Sequence, residues 1–162
     1  MKGSYAVVHH VRRKLSLQVG KREFRLAKGI YVYSGSALGP GGIEARTLRH
    51  LRILRGGVAS MPPAKKKPHW HVDYLLPHAS SLSIVYAESS SRAECLLVAS
   101  LKKKGFEVVK GFGSTDCRSK CGGHLLYAGD CGLGNVLEKV KEGFEDLRLL
   151  PIVGPTFTVA ER

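Results

Sequence analysis

Acidic residues are scarce in this chain, and scarcest in its first part. Only 2 of the 13 Asp and Glu fall within residues 1–67, against 15 of the 26 Lys and Arg, whereas residues 68–162 hold 11 of each sign. The whole net charge of +13 therefore arises in the first 67 residues. A thermophile-style surface mixes both signs into ion-pair networks, so charge this one-sided is read as a face for a polyanion. An acidic membrane surface fits less well, because no amphipathic helix with a bulky apolar face accompanies the charge. Also missing is any apolar run near the ~20 residues of a membrane span, and MKGSYAVVHHVRRK has no signal-peptide core or cleavage pattern. The expectation is a cytoplasmic protein with no membrane partner. Cysteine is limited to Cys95, Cys117, Cys121 and Cys131, which without a secretion signal does not suggest a secreted disulfide scaffold. Reduced thiols or a metal site come first, with a disulfide open for a hyperthermophilic source. Internal repeats and low-complexity tracts are absent.

What is present, 162 residues with 43% hydrophobic content, suffices for one well-buried core. The expected architecture is an α+β fold in which a small, mainly antiparallel sheet is flanked by helices. It forms a single domain over 1–162, with a core at about 3–127 and a C-terminal helical extension at about 135–162. Alternation predicts strands over 4–11, 15–19, 24–26 and 30–33, the middle two as a hairpin, with further strands over 82–87, 106–109 and 125–128. Helical spacing predicts helices over 43–55, 91–101 and, capped by Asn135, through Val136, Val140, Phe144 and Leu147. Residues 71–76 read as a turn or short helix before Pro77. The Pro- and Lys-rich segment 56–70 reads as an exposed loop.

The stretch KGIYVYSGSALGPGGIEARTLRH, residues 28–50, organises the rest. A β-rich run meets a glycine-studded turn over 34–42 that opens into a helix carrying Arg46 and His50 one turn apart. Phenol hydroxyls, bare N–H groups, a guanidinium and an imidazole gathered in so short a length suit a phosphate oxyanion. Phosphodiester hydrolysis needs a base, positive charge on the phosphate oxygens and a hard metal on a carboxylate. Tyr5, Tyr31 and Tyr33, then Arg46, His50 and Glu94, are the groups of those types.

These residues resemble the GIY-YIG nuclease family. Gly3-Ser4-Tyr5 looks like its first motif and Tyr33-Ser34-Gly35 its second, followed by Ser36-Ala37, Arg46, His50 and Glu94. The segment from His71 to Leu76 is similar to the family's H-x-N-x-x-L helix with Asp73 in place of Asn. The combination Y-x-G-S-A-L-G-P-G-G, H-W-H-x-D-Y-L-L, A-E-C and D-C…C…H-L is similar to a compact, largely archaeal branch. The literal Gly29-Ile30-Tyr31 stands directly before Tyr33, leaving no room for the turn two adjacent strands require. Gly3 to Tyr5 is therefore the better first motif and residues 12–29 an inserted hairpin, with Tyr5 and Tyr31 both kept as the base.

The resemblance implies a metal-dependent endonuclease on DNA, structure-specific in repair or recombination, with branched, flap or bulged DNA as partner. In it Tyr5 is the general base, Arg46 stabilises charge building on the phosphate, and Glu94 holds one Mg²⁺ or Mn²⁺. Tyr33 and His50 orient water and phosphate, while Gly35, Ser36, Arg49 and Lys65, Lys66 and Lys67 line the substrate. The alternative is a non-catalytic nucleic-acid-binding module of the same fold. Each residue has a plainer reading. The tyrosines can be half-buried sheet residues, Arg46 and His50 part of a basic helix face, and the three lysines a solvated run. Ser91-Arg92-Ala93-Glu94 has the form of a capping box. His71 and Asp73 are assigned hydrogen-bonding support, and Trp70 a core anchor. Cys95, Cys117, Cys121 and His124 offer ligands for structural zinc; a disulfide or buried thiols stand above zinc because the spacing is not that of a C-x₂-C knuckle. Cys131 is unassigned.

Overall fold

A computed structural model describes residues 1–57, 70–113, 121–130 and 132–160. Its centre is β1 (Gly3–Val11), whose side chains alternate between two buried surfaces and are almost all enclosed. On one side β1 pairs antiparallel with β4 (Gly29–Ala37), and on the other with β5 (Ser81–Glu88). β7 (Leu125–Gly129) and the short β6 (Glu107–Val108) extend the sheet beyond β4, and β8 (Ile152–Thr158) closes it beyond β5. The order is β6-β7-β4-β1-β5-β8, and every pairing is antiparallel. The α+β architecture with a mainly antiparallel sheet is thus as the pattern predicts.

Period-2 alternation sorts the core into two layers. Tyr5, Val7, Tyr31, Tyr33, Leu82 and Ile84 face one way. They meet α1 (Gly42–Gly56), the short α2 (Val72–Leu75) and the separate hairpin of β2 (Leu15–Val19) and β3 (Arg22–Leu26). Ala6, Val8, Val32, Val85 and Leu126 face the other way, against α3 (Glu94–Lys103) and α4 (Leu133–Asp146). The predicted hairpin over 12–29 is therefore present as a two-stranded flap on the α1 side.

Several boundaries differ from the pattern reading, each for a physical reason. β4 continues through Ala37, so Gly35 and Ser36 are strand residues, not turn residues; the whole run pairs with β1, with Gly35 opposite Tyr5. α1 buries Ile43, His50, Ile53 and Leu54, turning its inner face from the predicted Thr47 and Leu51 stripe so that a histidine enters the core. Serine 91 caps nothing. α3 starts at Glu94 after Ala93, with no side-chain cap. Asn135 lies inside α4, which begins after Gly132. The C-terminal segment is not a helical extension, because Val136, Val140 and Phe144 of α4 are fully buried and β8 pairs with β5. β8 escapes the alternation signal because Ile152 and Val153 are both substantially exposed on an edge strand. No described helix is long and apolar enough to cross a membrane.

Candidate functional site

The antiparallel register of β1 and β4 sets the first pair of groups. Tyr5 stands opposite Gly35, and Tyr33 opposite Val7, so both phenols emerge on the α1 side two positions apart along neighbouring strands. Gly35 is there because the Tyr5 ring lies flat across it. A Cβ on residue 35 would stand 2.7 Å from Tyr5 Cζ and 2.8 Å from its hydroxyl oxygen, inside any real contact. Tyr31, two residues back, points to the same face but is engaged elsewhere. Its hydroxyl donates to the Ala27 carbonyl at 2.7 Å, and its ring stacks between His9 and Tyr127. The structure thus groups Tyr5, not Tyr31, with the helix residues.

α1 supplies the second set. His50 is fully buried, and its Nε2 lies 3.0 Å from the Tyr5 hydroxyl. Burial holds the imidazole down at about 4, with Arg49 and Arg46 adding to the effect and Asp73 opposing it. At neutral pH His50 is therefore uncharged. Its Nδ1 has no hydrogen-bond partner among the described residues. Burial pushes both Tyr5 and Tyr33 well above the ordinary phenol value; Asp73 and Glu94 push the same way, and Arg46 pulls back on each. Asp73, Glu94 and Arg46 therefore all sit within electrostatic reach of both phenols.

Arg46 and Arg49 are held by a residue assigned only to the core. The Arg46 guanidinium stacks 4.2 Å from the centre of the Trp70 ring and that of Arg49 5.0 Å from it. Trp70 is half-buried, with His50 against its ring as well. Arg49 also donates to Asp73 Oδ2 at 2.5 Å, and the Trp70 backbone N–H donates to the same oxygen at 3.1 Å. Asp73, fully buried, is thus the anchor that holds α1 and α2 together, which is the supporting role predicted for it. His71 accepts a hydrogen bond at Nδ1 from the Gly113 N–H at 2.8 Å, again as support.

Glu94 arrives from the opposite layer. Ser34 and Ser36 alternate to the α3 side of β4. The Ser34 hydroxyl donates to the Glu94 carbonyl at 2.9 Å, and the Ser36 hydroxyl donates to the Glu94 carboxylate. β7 pairs with β4 from Ile30 to Tyr33 and the Ser34 N–H bonds the His124 carbonyl, while the side chains of Ser34 and Ser36 receive the first turn of α3. The site is accordingly two-sided: tyrosines, Arg46 and His50 on one face of the strand end, Ser36 and Glu94 on the other. A half-exposed carboxylate beside hydroxyl oxygens is a hard donor set of the kind that holds Mg²⁺ or Mn²⁺ by one or two protein ligands.

Beside Glu94 a second cluster forms. The ligand atoms of Cys95, Cys121 and His124 all lie within 4.8 Å of one another, with Cys95 Sγ 3.3 Å from His124 Nε2. Lys65, Lys66, Lys67, Cys117 and Cys131 lie outside the described residues. Of the expected site residues within them, Tyr5, Tyr33, Gly35, Ser36, Arg46, Arg49, His50 and Glu94 converge. Trp70 and Ser34 were missed, although a lone tryptophan immediately before H-x-D was a legible signal.

Neither the curated proteins nor the solved structures include a significant match to this chain. A family profile does match, over residues 4–148, a span that takes in both strands of the tyrosine pair, α1, α3, the cysteine–histidine cluster and α4. The chain belongs to the family described as domain of unknown function DUF123.

Proposed function

We propose that this chain is a metal-dependent endonuclease of the GIY-YIG kind that hydrolyses phosphodiester bonds in DNA, with branched, flap or bulged duplexes as substrates. The observation that carries the reading is the convergence of Tyr5, Tyr33, Arg46, His50 and Glu94 on one strand end, from four separate elements. Chance burial of tyrosines would not bring both a guanidinium and a carboxylate within electrostatic reach of the same two phenols.

On this reading Arg46, oriented on the Trp70 face, meets the phosphate oxygens and offsets the charge that builds as the phosphorus adds a fifth oxygen. Tyr5 takes a proton from the attacking water. It must first lose its own, and the neutral His50 Nε2 at 3.0 Å is the acceptor in reach. A cationic neighbour lowers a phenol's proton affinity, so Arg46 and Arg49 favour the phenolate, but they disfavour the imidazolium of His50 equally in sign and burial disfavours both ions. Glu94, with Ser36 beside it, would hold Mg²⁺ or Mn²⁺; when bound, the ion supplies Lewis-acid charge to the phosphate. Tyr33 and the close backbone at Gly35 position the substrate. The excess positive charge of residues 1–67 attracts the polyanion.

One observation favours the second reading, a nucleic-acid-binding module without turnover. Tyr5 is only 3% exposed and burial raises its phenol, which works against a base. Incubating the full chain with labelled branched, flap and bulged DNA separates the two. Nicking with Mg²⁺ or Mn²⁺ that stops on chelation and falls at least a hundredfold in Glu94→Gln is the expected result. Binding of the same DNA with no metal-dependent cleavage, or cleavage unchanged in Glu94→Gln, overturns the enzyme reading.

A further inference from the structure

We infer that Cys95, Cys121 and His124 form a binding site for a soft divalent ion, zinc by its donor chemistry, distinct from the hard-metal position at Glu94. Two elements supply the ligands: the first turn of α3 gives Cys95, and the loop before β7 gives Cys121 and, directly before the strand, His124. Two thiolate sulfurs and an imidazole nitrogen are the set zinc prefers over magnesium or calcium.

The distances suit the ion. Tetrahedral zinc, with bonds of about 2.3 Å to sulfur and about 2.0 Å to nitrogen, places neighbouring donors about 3.5–3.8 Å apart. The Cys95 Sγ to His124 Nε2 separation is 3.3 Å and every pair is within 4.8 Å, so a closure of at most about 1.3 Å completes the geometry.

The backbone is shaped for it. His124 is fixed on both sides: its N–H donates to the Phe112 carbonyl at 2.7 Å and its carbonyl accepts from the Ser34 N–H at 2.9 Å. Between the ligands stand Gly122, with φ at 95°, and Gly123, where a Cβ would stand 2.6 Å from the Val109 carbonyl oxygen. Only glycine permits that conformation at 122 and that approach at 123, and together they turn the chain so that Cys121 returns toward His124. Binding forms two Zn–S bonds and one Zn–N bond, and any proton on either thiol is released to solvent. A bound ion would also pin the α3 turn that presents Glu94, Cys95 being the next residue. The metal site itself does not depend on the nuclease reading.

The test uses the full chain purified under reducing conditions without chelator. Elemental analysis should find one zinc per chain. After zinc is stripped, titration with Co²⁺ should raise the thiolate charge-transfer band and the intense d–d bands of tetrahedral cobalt, discharged by Zn²⁺. Cys95→Ser with Cys121→Ser together should lower the zinc content at least tenfold and abolish the bands. Because that variant could unfold, alkylation of the wild type read by peptide mass provides an independent arm: zinc should slow modification of Cys95 and Cys121 at least tenfold. A wild-type chain with titrated free thiols that takes up neither ion overturns the proposal. So does alkylation of the two cysteines at the same rate with and without zinc, or a Cys95–Cys121 disulfide whose reduction yields no metal uptake.

Discussion

At the scale of single residues the site depends on two atoms of clearance and one hydrogen bond. Gly35→Ala inserts a methyl into the Tyr5 ring, whose Cζ would be 2.7 Å away. Tyr5 must move, and with it the bond to His50. The expected outcome is a loss of about 1–3 kcal/mol of stability from overpacking, read by urea unfolding, together with loss of nicking. Tyr5→Phe keeps the ring and removes only the hydroxyl. His50 Nε2 then sits in a fully buried place without its partner, in a ring whose Nδ1 has none among the described residues. Its cost should be about 1–3 kcal/mol, visible as a lower urea midpoint at unchanged m-value. A Tyr5→Phe chain that keeps the wild-type cleavage rate would remove Tyr5 from the chemistry.

Among the elements, α1 and α2 are joined through a buried charge. Asp73 is fully buried and Arg49 nearly so, with side-chain exposures of 0% and 13%. Removing the guanidinium leaves the carboxylate with less compensation in a dry place, which is costlier than the pair is stabilising. Arg49→Ala should therefore cost about 3 kcal/mol or more, and Arg49→Lys should recover only part of it, because an ammonium cannot both stack on Trp70 and reach Asp73 as the planar fork does. Thermal or urea unfolding of the three proteins checks this. Equal stability of all three would show that Asp73 is held by its other contacts. The β2–β3 hairpin is the other element that bears on the site. Its Phe24 meets Phe112 edge to face and His71 at a tilt, bracing the contacts that reach Gly113 beside Tyr33.

Across the whole molecule, two buried histidines tie stability to pH. His9 and His50 both fall from the ordinary 6.5 to about 4 in the folded chain, desolvation being the main cause for each. Between these values the unfolded chain binds protons that the folded chain refuses. The stability is fully present above about pH 6.5 and is lost as pH falls toward 4, at about 1.4 kcal/mol per pH unit for each ring. Urea midpoints at pH 7.5, 6.0 and 5.0 should drop progressively, and His9→Gln should roughly halve the slope. Charge is the second whole-molecule property. If the basic first part contacts five phosphates, log K for a DNA duplex should fall with log salt at a slope of about −4.5. Binding that is flat between 50 and 200 mM salt would leave the positive excess without a polyanion partner.

Strand and helix identity was legible along most of the chain, because alternation and helical spacing record which faces are buried. The chemical groups themselves were legible too: Tyr5 and His50 come into contact on the α1 side with Arg46 nearby, and Glu94 reaches the same strand end from the other face. What periodicity could not show is the far end of each contact. That Glu94 goes to Ser36 and not to a helix cap, that Trp70 carries both guanidiniums, and that Ile152 to Thr158 forms a strand depend on partners 58 residues away, 24 and 21 away, and 73 away. The opening motif looked self-contained because its groups are neighbours in the chain. The fold makes it one wall of a two-sided site, since alternation along β4 sends Tyr33 toward α1 and Ser34 and Ser36 toward α3. Local sequence decides what a segment prefers; which segments share a surface is decided by burying two faces of one sheet at once.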